Sequence, residues 1–200
     1  MRIAILGAGS VGGGLGAALA FVGHSVVFGV RDPDSDKCHA ALAAARSSSA
    51  ALPAEAVADA EVIVFALRPD AIPETVAGLP SLGGRIVIDV MNRLGGDPAR
   101  STSQDLADLL PGARIVKAFN TIGFENLTTA RERVVPAAMF VAGDDPDAKR
   151  VVLALATELG FRPEDAGPLA NAKPLEQMVK VWLALAQNHG RAVGFAISDG

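Results

Sequence analysis

The chain has 200 residues, half of them apolar and few aromatic, with 18 Lys and Arg against 22 Asp and Glu, for a net charge of −4. A chain of this length buries a full core in one main domain without metal or disulfide staples. Its scattered charges leave no basic stripe for nucleic acid, its apolar runs are too interrupted to span a membrane, and Cys38, the only cysteine, allows no intramolecular disulfide, which fits a reducing cytoplasm.

The pattern from the N-terminus alternates short apolar runs with longer helical stretches. Ile3–Leu6 reads as a strand, not a signal peptide, because Gly7, Gly9 and Gly12 interrupt the apolar run. A helix is expected over Ser10–Phe21, stopped at Gly23, then a strand over Ser25–Gly29 and an alanine-rich helix over Asp34–Arg46. Ser47–Ser49 reads as a loop or a minimal strand, and Pro53 opens a short helix ending near Asp59. Strands follow at Glu61–Ala66, Arg85–Val90 and Ala113–Ala118. Between them come a helix from Pro69 toward Val76 and one over Ser101–Leu110, with Ser103 a plausible cap.

The last third continues with a strand at Met139–Ala142, a helix over Pro146–Glu158, a short strand after Gly160 and a helix over Leu175–Asn188. Residues 120–136 form the longest stretch without a clear element and read as a functional loop. Such alternation predicts an α/β fold with a doubly wound, mainly parallel sheet, its strands apolar on both faces. Residues 1–165 make the main domain, and 166–200 a small extension packed on the same core or on a dimer interface.

Chemistry concentrates where the first strand meets the first helix. Gly7-Ala8-Gly9-Ser10-Val11-Gly12 is a G-x-G-x-x-G with the strand before it and the helix after it that a dinucleotide fingerprint requires. Gly7 allows the tight turn, Gly9 lets the backbone approach a pyrophosphate, and Gly12 lets the helix pack on the sheet. The helix N-terminus offers free N–H groups and its positive dipole end to the phosphates. In a doubly wound sheet the ligand lies beyond the carboxyl ends of the strands. That selects residues 7–12, 29–32, 66–69, 90–93 and 118–122.

The tip of the second strand reads Gly29-Val30-Arg31-Asp32. An NAD site wants a carboxylate there for the ribose 2′-hydroxyl, whereas a guanidinium forks onto the 2′-phosphate of NADP. Arg31 therefore favours NADP, with Lys37 a possible second cation, while Asp32 keeps NAD open. Asn92 and Asn120 are the polar residues expected beside the nicotinamide, with Phe119 packed near the rings; the plainer alternative is that both asparagines cap turns.

Several segments together resemble the NADPH-dependent reductases of coenzyme F-420, the deazaflavin hydride carrier. They are residues 3–12 with 29–33, Val87-Ile88-Asp89-Val90-Met91-Asn92, residues 116–123 (Val-Lys-Ala-Phe-Asn-Thr-Ile-Gly), residues 139–145 and residues 165–169. The Lys117-Ala118-Phe119-Asn120-Thr121 segment is the most specific. The resemblance implies a Rossmann-type fold, NADP(H) and the deazaflavin meeting face to face, and a homodimer. The family it resembles also includes members whose electron acceptor is not the deazaflavin, and the same domain serves metal reductases through a flavin. This chain departs from the family pattern at Val30, where Ser or Thr is usual, at Arg93, where Pro is usual, and at Leu67-Arg68-Pro69, where Val-Pro-Pro is usual. Arg68 and Arg93 stand on the ligand-side segments, to meet an anionic acceptor, the cofactor pyrophosphate or water.

The inventory of acid–base groups narrows the reaction. The chain has no tyrosine, which excludes a Tyr–Lys proton relay, and His24, His39 and His189 fall in a turn, on a helix and after the last helix. No cluster has metal-ligand spacing, and no nucleophile elbow is present. Reducing a ketone needs a proton donor, whereas passing hydride between two cofactors needs mainly stacking and orientation. About 35 residues follow Asp165, too few for the helical domain of hydroxy-acid and imine reductases. The expected function is hydride transfer between NADPH and the deazaflavin, without a catalytic side chain. The alternatives are a flavin, quinone or metal-chelate reductase and a non-catalytic NADP(H)-sensing module. Lys117 is expected to snorkel or pair at the sheet end, and Trp182 to make a core or dimer contact.

Overall fold

The computed structural model describes residues 1–95 and 99–198, so the last two residues of the expected extension lie outside the described residues. Its centre is an eight-stranded sheet. The strands are β1 (Arg2–Leu6), β2 (Ser25–Gly29), β3 (Ser49–Ala51), β4 (Val62–Phe65), β5 (Ile86–Asp89), β6 (Arg114–Lys117), β7 (Ala138–Gly143) and β8 (Arg162–Asp165). Their order across the sheet is β3-β2-β1-β4-β5-β6-β7-β8. Pairs are parallel except β6 with β7, which meet antiparallel through Val116–Gly143 and Lys117–Ala142. The helices are α1 (Ser10–Phe21), α2 (Asp36–Ala44), α3 (Pro53–Ala58), α4 (Ile72–Ala77), α5 (Thr102–Leu109), α6 (Pro146–Glu158) and α7 (Ala172–His189).

The apolar runs explain the layering. Alternate residues of each central strand feed two cores: Ile3, Ile5, Val62, Val64, Ile86 and Ile88 on one face, Ala4, Leu6, Ile63, Phe65 and Val87 on the other. Both faces are covered, which is why these strands read as unbroken apolar runs. Helix α1 approaches the sheet closely because Gly16 has no side chain; a Cβ there would meet the Phe28 ring at 2.4 Å. The order in which strands are added across the sheet reverses between β3 and β4, so β1 and β4 flank a topological switch point, where ligands bind in open α/β sheets.

Some elements differ from expectation. The Pro69 helix divides into a 3₁₀ turn, Pro69–Ala71, and then α4, since Pro73 stands at its first turn. Helix α2 is shorter than expected because Asp32 and Ser35 build a turn: the Asp32 carboxylate accepts from the Asp34 N–H and its carbonyl from the Ser35 hydroxyl. The cap of α5 is Ser101, not Ser103. Ser101 accepts from the Gln104 N–H while Gln104 accepts from the Ser101 N–H, a reciprocal capping box. The Ser103 hydroxyl instead donates to Asp89 at 2.6 Å.

The stretch over 120–136 holds two 3₁₀ turns, Phe124–Asn126 and Ala130–Glu132. The chain end ties it down. Asn126 donates to the Arg191 carbonyl, and Arg133 reaches Asn126 and the Ala192 carbonyl. Trp182 is buried, its indole N–H donates to the Val193 carbonyl, and Arg191 lies over its ring. Trp182 is thus a core residue beneath the C-terminal segment.

Candidate functional site: a groove at the sheet switch point

The glycine turn after β1 is built as its spacing demands. Gly7 takes φ +108°, and a Cβ on it would come within 2.5 Å of the Ala66 carbonyl oxygen. A Cβ on Gly12 would lie 2.1 Å from the Gly7 carbonyl oxygen, so only glycine lets α1 start this close to β1. Gly9 differs: a Cβ there meets nothing within 4 Å. No protein neighbour requires glycine at this position, so the open space in front of it fits a ligand that passes against the backbone.

Helix α1 begins at that opening. The first turn of a helix leaves N–H groups without intrahelical acceptors, and here the first internal bond runs from the Gly13 N–H to the Gly9 carbonyl. The helix has no capping side chain and no acid in its first turn, unlike α5 and α6, which Ser101 and Asp145 cap. The N–H groups of Ser10, Val11 and Gly12 are therefore left without intrahelical acceptors at the start of α1, and this helix end fits a pyrophosphate.

The groove is lined by Gly9, Ser10, Val11, Ala66, Leu67, Arg68, Val90, Met91 and Asn92, around a cavity of about 270 Å³. The structure so brings together the glycine loop and the tips of β4 and β5. A second cavity, about 520 Å³, flanks α1 on its other side, between Gly13, Gly14, α2 and Phe124. Ala8, Gly9 and Ser10 also line it, and Lys37 stands on this wall.

Arg31 projects from the β2 tip with 80% of its side chain exposed and lies 3.6 Å from Glu74. Val30 beside it is half-buried against the core. Asp32, occupied in its turn with Asp34, is exposed. Arg68 is exposed and forks onto Asp70, whose carboxyl that hydrogen bond holds below its ordinary value. Arg93 is three-quarters buried and pairs with Asp105.

At the far wall the two asparagines clasp each other. Asn92 donates to the Asn120 carbonyl at 3.1 Å, and Asn120 donates back to Asn92 Oδ1 at 3.0 Å and to the Leu175 carbonyl at 3.0 Å. Asn120 Oδ1 and the hydroxyl of neighbouring Thr121 are buried without a hydrogen-bond partner. Phe119 departs from expectation. It has φ +55° and a buried ring packed edge-on to Phe161, so its side chain belongs to the core rather than to the groove.

Beneath this wall lies a charged cluster that the sequence reading did not assemble. Lys117 is fully buried, so it does not snorkel. Its ammonium donates to Asp89 at 3.0 Å, to Glu176 at 3.1 Å, to Thr102 at 3.1 Å and to the Met91 carbonyl. The one proton of the Thr102 hydroxyl is shared between Asp89, at 2.6 Å, and Glu176, at 2.8 Å. A signal was available: Asp89 and Lys117 are paired in register at the ends of two apolar strands, and Glu176 sits among the buried residues of α7.

The histidines lie elsewhere. His24, at the opposite edge of the sheet, bonds Glu158 at 2.8 Å and the N-terminal amine at 3.2 Å. Among the described residues no group of His, Cys, Asp and Glu is arranged to hold a metal ion, and no helix is long and apolar enough to cross a membrane.

Comparison with known proteins agrees with this fold. Residues 2–93 match the family described as NADP oxidoreductase, coenzyme F420-dependent. Among curated proteins, metalloreductase STEAP3 of Rattus norvegicus is 33% identical over 178 residues, which is 88% of this chain but 36% of that protein. The chain thus spans about a third of the length of that relative. Among solved structures, a candidate F420-dependent NADP-reductase from Arthrobacter sp. FB24 superposes with a TM-score of 0.88 at 28% identity, covering both chains completely. A reductive aminase from Aspergillus terreus in complex with NADPH shares the fold alone, with a TM-score of 0.70 at 20% identity over 93% of this chain and 61% of that one.

Proposed function

We propose, since residues 2–93 match the coenzyme F420-dependent NADP oxidoreductases, that the chain passes hydride between NADPH and a deazaflavin in the groove beyond β1, β4 and β5. The observation that carries the reading is the groove lining: backbone and apolar groups, with Ser10, Asn92 and Arg68 as its polar side chains. Such a wall binds and orients rings, which is what transfer between two cofactors asks of a protein.

The roles follow from position. The N–H groups of Ser10, Val11 and Gly12 hold the pyrophosphate, with Gly7, Ala8 and Gly9 shaping the approach. Arg31, exposed at the β2 tip beside Glu74, takes the 2′-phosphate; Val30 contributes backbone and apolar contact in place of a hydroxyl. Leu67 and Arg68 form the wall over the pyrophosphate. Asn92, Asn120 and Thr121 meet the nicotinamide end, where Asn120 Oδ1 and the Thr121 hydroxyl still lack partners; Phe119 supports them from the core. NADPH supplies the hydride when bound, and the chain's residues supply alignment and exclusion of water. The protein acts as a homodimer, with residues 166–200 an extension of the main domain.

The metalloreductase relative, matched over 88% of this chain, supports a second reading in which a flavin accepts the hydride and a metal chelate follows. One assay separates them. Protein and NADPH are mixed with the deazaflavin, with FMN or FAD (with and without a ferric chelate), and with no acceptor, while the pyridine absorbance is followed. Oxidation with the deazaflavin alone is expected. Oxidation only with flavin gives the second reading, and tight NADPH binding without turnover on any acceptor gives a sensing module.

A further inference from the structure

Helix α7 reaches the groove wall from the far end of the chain with two consecutive residues. The Leu175 carbonyl accepts from Asn120 Nδ2 at 3.0 Å. Glu176 Oε1 accepts from the Thr102 N–H and hydroxyl, both at 2.8 Å, and from Lys117 at 3.1 Å. Lys117 then holds the Met91 carbonyl, and Asp89 accepts from the Met91 N–H at 2.9 Å. Both backbone groups of Met91 are fixed by this cluster, and the next residue is Asn92.

The cluster is 1% exposed or less at Lys117, Asp89, Thr102 and Glu176. Lys173 lies 3.8 Å from the outer oxygen of Glu176, so two lysines face two carboxylates. Buried pairs of this kind are weak sources of stability, since apolar residues of similar volume often serve equally well. Their distinctive property is directional: several charge-assisted bonds hold one arrangement of the backbone. Here the arrangement held is that of the β5 and β6 tips, whose Asn92 and Asn120 clasp each other.

We infer that Glu176 is a positioning residue for the nicotinamide half of the site, setting Asn92 and Asn120 through Lys117 and Thr102 without touching the cofactor. This rests on the functional reading above, which puts the nicotinamide at that wall. Helix α7 is then part of the site, although it lies outside the residues that carry the glycine fingerprint.

The test compares two ligands that share the adenosine half. Full-length wild type and Glu176→Ala are titrated calorimetrically with NADPH and with 2′-phospho-ADP-ribose, which lacks the nicotinamide. Glu176→Ala is expected to weaken NADPH about tenfold, the value of one well-placed hydrogen bond, and to leave 2′-phospho-ADP-ribose unchanged. Glu176→Gln, which keeps an acceptor oxygen, is expected to restore NADPH binding to within about threefold of wild type. Equal weakening of both ligands, or of neither, overturns the assignment. If Glu176→Ala fails to fold, Thr102→Val removes the shared hydroxyl, and the same split is required of it. Wild-type protein that binds neither ligand overturns the functional reading and this inference with it; wild type that binds both, with variants that show no split, overturns the inference alone.

Discussion

The carboxyl edge of the sheet has two contrasting regions. At β1 and α1 the polar groups are backbone donors left without protein partners, in front of a glycine that faces open space. At β5 and β6 they are acidic and basic side chains, buried and bonded to one another except at Glu176 Oε2, which has no hydrogen-bond partner among the described residues. The first region is made of what the chain omits: side chains at Gly7, Gly9 and Gly12, and a cap on α1. The second is made of what distant segments bring, from β5, α5, β6 and α7. The difference is one of hydrogen-bond satisfaction: backbone donors left open at one end of the edge, side chains bonded mainly to one another at the other.

The largest effect is expected where the sealed region loses its fully buried cation, Lys117. Lys117→Met leaves Asp89 and Glu176 buried without their central partner, and urea denaturation should show a loss of about 3–5 kcal/mol. A loss below about 1 kcal/mol would mean that Lys173 alone balances the carboxylates.

The open region should respond through binding instead, and neighbouring glycines should separate. Gly12→Ala drives a Cβ into the Gly7 carbonyl, so a stability loss of about 1–3 kcal/mol and lost NADPH binding are expected together. Gly9→Ala has room for its methyl in the protein. Its Tm should stay within about 2 °C of wild type while NADPH affinity falls at least about tenfold. Equal NADPH affinity in Gly9→Ala would remove the pyrophosphate from this loop.

Arg31→Ala sharpens the open region further. The side chain is exposed and its nearest acid, Glu74, is equally so, so folding stability should not change measurably. NADPH affinity should fall about tenfold or more while NADH affinity is retained, because a charge-assisted bond to the 2′-phosphate is lost. Unchanged preference between the two cofactors would return Asp32 to consideration as the ribose ligand.

The smallest effect lies outside both regions and calibrates them. The Lys149 ammonium, and then the Gly167 N–H, hold the Asp165 carboxyl below its ordinary value. A lowered folded value means that the stabilisation is complete above the ordinary 3.8 and is lost as pH falls through the folded value. Asp165→Asn should therefore cost under about 1 kcal/mol at pH 7, since the side chain is half exposed. The difference from wild type should vanish in acid, as read by thermal melts across pH.

Much of this molecule was legible along the chain because its signals are local. A strand, a glycine turn and a helix that follow one another within residues 2–21 carry their own period and turn chemistry, and the span of α1 was evident from Ser10 and Gly23. The fold class followed from the alternation of such units. The ends of elements were less legible where a side chain had two possible partners. Ser103 has the right chemistry for a cap, but its hydroxyl faces Asp89, and Ser101 caps instead. Phe119 follows the motif yet turns its ring to Phe161 through a left-handed backbone.

The sequence by itself determined the dinucleotide cradle and the arginine beside it, because glycine spacing and helix start are properties of contiguous residues. Only the tertiary structure decided how the β5 and β6 tips are held. Glu176 lies 59 residues beyond Lys117 and 74 beyond Thr102, and no local pattern encodes their meeting. It depends on α7 packing beside α5 and the β6 tip, where burial removes water and leaves these charges to satisfy one another.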